Sequence, residues 1–313
     1  MRRLGQISCV FLALALLARP AAAVTLAVGD IIVANFNGTT VGQYHADGSV
    51  VNASLISGLS APSGLAFDAQ GNILVTSYAG NTVTRFNVTT GASTTIISAN
   101  VNGPWGIAVD AGGNILVAND NGTTVSKFDP SGALLNASFI SGVSSPSALA
   151  IDGSGNIYVA NYGGGSGTTV GKYQSNGTVI NTSFLTGLAG PDGIAIDAGG
   201  NLYVTNSSGT TVSKFAPTGG APTNASFLSG LSNPIGIRID GIGNILVANY
   251  GANQIVKYTS AGVVIAPNPL ISGLGGPEGM LVVTSSPVPE PSAALLVAAS
   301  LAAAALALRP RAG

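Results

Sequence analysis

Apolar residues along most of the chain come in short runs broken by Gly, Asp, Asn, Ser and Pro, and none of these runs keeps a helical apolar period over ten residues. "GIAVD" (Gly106 to Asp110) and "NILVAN" (Asn114 to Asn119) are two such runs, and the Asp, Gly and Asn at their junction are hairpin-turn residues. "TTVSKF" (Thr123 to Phe128) follows, β-branched and ending in an aromatic. "NASFISGV" (Asn136 to Val143) comes last and closes with Gly just ahead of the next Pro. The pattern predicts four short strands, with Pro and Gly at the strand ends that tolerate them.

The unit repeats. "PSGLAFDAQGNILVTS" (Pro62 to Ser77) returns as "PWGIAVDAGGNILVAN", "PSALAIDGSGNIYVAN", "PDGIAIDAGGNLYVTN" and "PIGIRIDGIGNILVAN". The prolines Pro62, Pro104, Pro146, Pro191, Pro234 and Pro277 stand 42, 42, 45, 43 and 43 residues apart. Self-similarity at this period marks propeller blades or a repeat array. Four-stranded units can close radially and so protect their edges, whereas an open solenoid needs polar caps that the sequence does not show. The two ends of the repeat region point to closure. "GDIIVANF" (Gly29 to Phe36) matches the second strand of the unit, and "PEGMLVV" (Pro277 to Val283) matches the first. The expectation is an all-β, six-bladed β-propeller with four-stranded blades, closed by the C-terminal strand completing the N-terminal blade.

The pattern P-x-G-[IL]-A-x-D…G-N-[IL]-[YL]-V-[AT]-N resembles the NHL repeat, seen also in lactonase-like propellers, over roughly Gly29 to Val283. The resemblance implies a propeller, but such propellers include binding modules, enzymes and extracellular proteins, so function must be read from a site.

The two ends of the chain differ from its body. Arg2 and Arg3 precede the apolar "ISCVFLALALL" (Ile7 to Leu17), and the small residues Ala21 and Ala23 fit signal-peptidase cleavage near Val24. The run is too short to span a bilayer, which needs about 20 residues. Cys9, the one cysteine, falls in this leader, so the mature chain has no disulfide, thiolate metal site or Cys nucleophile. At the other end, "VPEPS" (Val288 to Ser292, with Pro289, Glu290 and Pro291) precedes 16 apolar or small residues, Ala293 to Leu308, and then Arg309 and Arg311. At 1.5 Å per residue that stretch reaches about 24 Å, short of a hydrocarbon core of about 30 Å. The arrangement resembles a PEP-CTERM sorting signal. That resemblance implies processing by exosortase, transient membrane association and a Gram-negative cell surface or extracellular matrix; a short tail anchor is the other reading. The expected boundaries are a leader at 1–23, a propeller at 24–286 and a sorting tail at 287–313, in a monomer.

Net charge is −1 overall, with 11 Lys or Arg against 12 Asp or Glu, so nothing suggests nucleic acid. Most charges in the body are repeat positions. Asp68, Asp110, Asp152, Asp197 and Asp240 share a slot ahead of "GN" and are expected to accept turn hydrogen bonds. Arg85, Lys127, Lys172, Lys214 and Lys257 share another, expected to carry solvated edge charge. The strand-ending Asn35, Asn119, Asn161, Asn206 and Asn249 read as turn residues, and nine N-x-[ST] triplets read as turns and outer-strand residues.

Residues that break the repeat are more informative. The x of P-x-G, expected to ring one mouth of the central channel, is Ser63, Trp105, Ser147, Asp192, Ile235 and Glu278. Arg238 replaces an Ala or Leu three residues further on. Asp192, Arg238 and Glu278 come from successive blades and are expected to meet at the mouth, with Trp105 across the ring. Either the carboxylates neutralise the arginine, or they bind Ca²⁺ or Mg²⁺ or orient a polar ligand. The only histidine, His45, lies in a turn away from the inner strands, which removes His-ligated zinc and a channel Ser-His-Asp triad. The carboxylate and Asn metal cage of lactonase-like propellers is not clearly reproduced, and the channel histidine of the streptogramin lyase type is missing. The expectation is therefore a non-catalytic binding or scaffold module among extracellular polysaccharides and surface proteins. The alternative is a divalent-metal-dependent lactonase or lyase using the channel mouth.

Overall fold

A computed structural model describes residues 23–284. The expected leader, Ala23 excepted, and the expected tail with Pro289, Glu290 and Pro291 lie outside the described residues. Within them, no helix is long and apolar enough to cross a membrane.

Antiparallel sheets account for nearly all of the regular structure. The first is β1 (Ile31–Asn35), β2 (Thr40–Tyr44) and β3 (Val50–Ile56), with β23 (Pro277–Val282) on the inner side of β1. The second blade is β4 (Pro62–Phe67), β5 (Ile73–Ser77), β6 (Thr82–Phe86) and β7 (Ser93–Ile97), and the third is β8 (Pro104–Val109), β9 (Ile115–Asn119), β10 (Thr124–Phe128) and β11 (Leu134–Ser141). The fourth holds β12 (Pro146–Ile151), β13 (Ile157–Asn161), β14 (Thr169–Tyr173) and β15 (Val179–Leu185), and the fifth β16 (Pro191–Ile196), β17 (Leu202–Asn206), β18 (Thr211–Phe215) and β19 (Asn224–Leu228). The sixth has β20 (Pro234–Ile239), β21 (Ile245–Asn249) and β22 (Gln254–Tyr258), and bridges Ile255–Ile271 and Tyr258–Val264 stand where its fourth strand would be. Pro267 and Pro269 lie in that segment, and a proline has no N–H to give a ladder.

The ring closes as the sequence implies. β23 pairs antiparallel with β1, Ile31 opposite Val282 and Val33 opposite Met280, so the last strand completes the first blade. Alternate residues of each sheet pack against the neighbouring blade. Leu116 and Ala118 of the third blade, for example, meet Ile157, Val159 and Tyr173 of the fourth. Around the axis the glycine of P-x-G decides how closely inner strands approach. A Cβ on Gly64, Gly106, Gly193, Gly236 or Gly279 would run into the carbonyl of Trp105, Ser147, Ile235, Glu278 or Ser63 on the next inner strand.

Turn chemistry follows the sequence for the aspartates. Asp110 Oδ1 accepts from the amides of Gly112 and Asn114, both at 2.9 Å, and Asp68, Asp152, Asp197 and Asp240 repeat this. The cations differ from expectation. Lys127, Lys172 and Lys257 are only 14–16% exposed, and they sit 2.8, 4.0 and 3.0 Å from Asp110, Asp152 and Asp240. Lys127 lies over the Phe139 ring, and Lys214 lies over Tyr203 and Phe227. The third strand is covered by the fourth, so its cation is an internal strut between turn carboxylate and aromatic rather than a solvated edge charge. The strand-ending asparagines also do more than turn. Asn119, Asn206 and Asn249 are buried, and their side-chain oxygens accept from Asn102, Ala189 and Ser232, bracing the loop that leads into each inner strand. On the outer strands Asn52, Asn136, Asn181 and Asn224 each accept the amide two residues on, at register shifts that blunt an exposed sheet edge.

Candidate functional site

Each of β4, β8, β12, β16 and β20 starts with a register irregularity between its Pro and the residue three on, which turns the x side chain toward the axis. The six x residues line one cavity down the axis, together with Arg238. About 50 Å³ of it is open to the centres of water molecules, room for only a few. A larger molecule therefore docks on the mouth and does not thread the channel.

The x residues divide by what they bond to. Ser63 donates to the carbonyl of Pro104 at 3.0 Å and Ser147 to that of Pro191 at 3.1 Å, so both serve the ring itself. Asp192 and Glu278 do not. They are 4% and 2% exposed, and Asp192 Oδ1 and both Glu278 oxygens have no hydrogen-bond partner. Burial, reinforced by Asp192 and Asp120, pushes the Glu278 carboxyl well above the usual range. Burial and then Asp120 push Asp192 up to about 7, while Trp105 and Ser207 pull it the other way without reaching it in full hydrogen-bond geometry.

Arg238 is the exception to the expected cluster. It shares the cavity but makes no ion pair with either carboxylate, and its guanidinium reaches the carbonyls of Ile237 (2.9 Å) and Leu65 (3.5 Å). Three residues of extended strand separate it from the mouth, about 10 Å, which keeps it out of contact with the acids. Burial alone lowers its pKa. His45 is also remote: its ring, 55% exposed, sits 3.1 Å from Asp30 beyond the outer end of β2.

A second ring of mouth residues was not singled out in the sequence. The residue after each strand-ending Asn (Ser77 in the second blade) lies at the same end of the ring as the inner strand's start: Pro104 pairs with Asn119, and the Asp120 amide donates to the carbonyl of Gly103 just before that Pro. This slot holds Phe36, Tyr78, Asp120, Tyr162, Ser207 and Tyr250. Tyr fills it in three copies, and the departures at Phe36, Asp120 and Ser207 were the available signal. Burial raises Asp120 to about 6, and its Oδ1 also lacks a partner. Burial, then Asp192 and Asp120, raise Tyr162. Trp105 reaches across the mouth, its ring 5.3 Å from Phe36 and 5.2 Å from Tyr78, and Phe36 in turn lies 6.5 Å from Tyr250. The mouth thus has an aromatic wall on one side and three carboxyls beside it.

For the Ca²⁺ or Mg²⁺ expectation the donors fall short. No group of three His, Cys, Asp or Glu among the described residues is placed to hold a metal ion, the three mouth carboxyls included, and calcium takes six to eight oxygens.

Among solved structures, virginiamycin B lyase from Staphylococcus aureus is similar at 18% identity, TM-score 0.58, over 79% of this chain and 83% of that one. A gluconolactonase from Xanthomonas campestris is similar at 17% identity, TM-score 0.60, over 80% and 88%. A chain of a nidogen/laminin complex matches at 17% identity, TM-score 0.64, over 81% and 98%. At such identities these likenesses show the propeller and nothing finer. A search of curated protein sequences finds no match. A model of the virginiamycin B lyase family matches residues 17–286. That match overturns the expectation of a non-catalytic scaffold. The expectation rested on the missing channel histidine, and it overlooked that buried carboxyls with raised pKa values can do acid–base work. The chain belongs to the virginiamycin B lyase family.

Proposed function

We propose that the protein is an acid–base lyase that opens a cyclic ester at the channel mouth. The observation that carries this reading is the pair of buried carboxyls there, Asp192 with its Oδ1 unpartnered and Glu278 with both oxygens unpartnered, whose pKa values are both raised. Groups with environments that set their titrations apart divide naturally into base and acid. Asp192, at about 7, is ionised for part of the time at neutral pH and takes a proton from the carbon next to the C–O bond. The C–H electron pair becomes the new C=C bond as C–O breaks, and the departing oxygen takes its proton from Glu278, which is still protonated. Asp120 keeps both acids protonated to higher pH. Family membership supports elimination over hydrolysis. No step uses a metal.

The test is incubation of the purified protein with virginiamycin B and with gluconolactone, the products being weighed by mass spectrometry. Elimination within a ring opens it without change of mass. A product heavier by one water would instead make the enzyme a lactonase, and no product from either compound would remove the reading. Glu278→Gln should abolish turnover, and His45→Ala should leave it unchanged. In addition, the leader and the "VPEPS" tail support export and exosortase sorting of this enzyme. A Pro289→Ala, Pro291→Ala double variant that still reached the surface in normal amount would refute the sorting.

A further inference from the structure

We propose that the channel mouth is a binding site for an organic cation, a protonated amine joined to a flat apolar body, held between Asp120 and Asp192 on one side and the aromatic wall of Phe36, Tyr78, Trp105 and Tyr250 on the other. This deepens the enzymatic reading by naming what the substrate carries beside its ester, and it rests on that reading only for the word substrate.

Two separate observations carry it. The acids lack counter-charge. Asp192 Oδ1, Asp120 Oδ1 and both Glu278 oxygens are buried without a partner, and Asp192 and Glu278 line the cavity. Among the described residues, no cation forms an ion pair with any of them. Arg85, Lys127, Lys172 and Lys257 are paired to the turn aspartates, and Arg238 bonds to carbonyls deeper in the channel. Once Asp120 and Asp192 ionise, a mouth with no positive group paired to them is matched by a donor-rich positive ligand and repels an anion.

The aromatic wall supplies the second observation. Trp105 stands edge-on to Tyr78 at 5.2 Å, and Phe36 bridges Trp105 to Tyr250. The Tyr78 and Tyr250 hydroxyls donate to Asn121 at 2.9 Å and Asn37 at 3.0 Å, which fixes the rings. All four rings are half-buried. Aromatic faces attract cations and cover flat apolar groups, and fixed rings do so with little ordering cost. A neutral sugar would use the wall but would leave the acids without counter-charge.

Trp105 is the only tryptophan in the chain, so fluorescence excited at the red edge of the indole band, where the eight tyrosines do not absorb, reports this mouth. Full-length protein is titrated with benzylammonium chloride and with benzyl alcohol at about pH 8, above the values of about 6 and about 7 held by Asp120 and Asp192. Benzylammonium should give a saturable change, with benzyl alcohol at least about tenfold weaker. Asp120→Asn should weaken the amine by about tenfold or more, as loss of a buried charge partner does. Asp47→Asn, an exposed aspartate outside the mouth, should bind like the wild type. A melting curve for each variant separates lost binding from lost folding, and Tyr78→Leu, which thins the wall without touching the acids, should also weaken the amine. Equal binding of alcohol and amine, unchanged affinity in folded Asp120→Asn, or no saturable change would overturn the proposal. Amine binding without turnover of any cyclic ester would sink the lyase reading and leave the cation site standing.

Discussion

Replacing Asp192 with Asn should change how stability depends on pH, and the size of the change follows from the channel mouth. In the fold its carboxyl titrates at about 7 instead of 3.8, because burial and then Asp120 disfavour the anion. The unfolded chain loses that proton near 3.8. Between 3.8 and about 7 the native state therefore holds a proton that the unfolded state has given up, and stability falls as pH rises through this window. At 1.36 kcal/mol per pKa unit the loss is on the order of 4 kcal/mol, complete above about pH 7. Asparagine has nearly the same shape and cannot ionise. Urea unfolding of both proteins at about pH 4 and about pH 8 gives the comparison. The stability of the variant relative to wild type should rise by on the order of 4 kcal/mol between the two conditions. Glu278 drives the wild type the same way, and removing the Asp192 charge eases its ionisation, so coupling enlarges the difference. A difference equal at both pH values, within the roughly 10–15% uncertainty of the extrapolation, would refute the claim that burial raises the Asp192 pKa to about 7.

Three further outcomes can be checked. Gly236→Ala puts a Cβ into the carbonyl of Glu278, where backbone cannot give way cheaply; it should cost about 3 kcal/mol and lower the melting midpoint clearly. Asp110→Ala leaves two turn amides and Lys127 without their acceptor and should cost about 1–3 kcal/mol, more than Lys127→Met, which keeps the apolar stem over Phe139 and should cost about 1 kcal/mol. Turnover should rise through about pH 7 as Asp192 ionises and fall at higher pH as Glu278 loses its proton, and an Asp192→Asn protein with the same rising limb would refute the assignment of the base.

Strand number, blade number and closure were legible because they depend on local, repeated chemistry. Apolar runs of strand length, hairpin residues at fixed offsets and Gly in P-x-G act the same way in every copy, so one copy explains all. The matching half-units at Gly29 to Phe36 and Pro277 to Val283 then leave one way to seal the ring. The x slot was legible for the same reason: variation against a constant background marks residues the architecture does not need. What the sequence alone could not supply was distance and burial. Arg238 and Glu278 look like natural partners on paper, yet strand rise separates them along the axis while the carbonyls of Ile237 and Leu65 take the guanidinium. The lysines of the third strand look solvated until the fourth strand covers them. Asp120 of the third blade joins Asp192 of the fifth only because the closed ring gathers the ends of its blades around one mouth. Whether a carboxyl ends up solvated, paired or buried alone depends on everything packed around it. The repeat therefore determined the propeller, and only the closed ring decided that its mouth holds acids with raised pKa values.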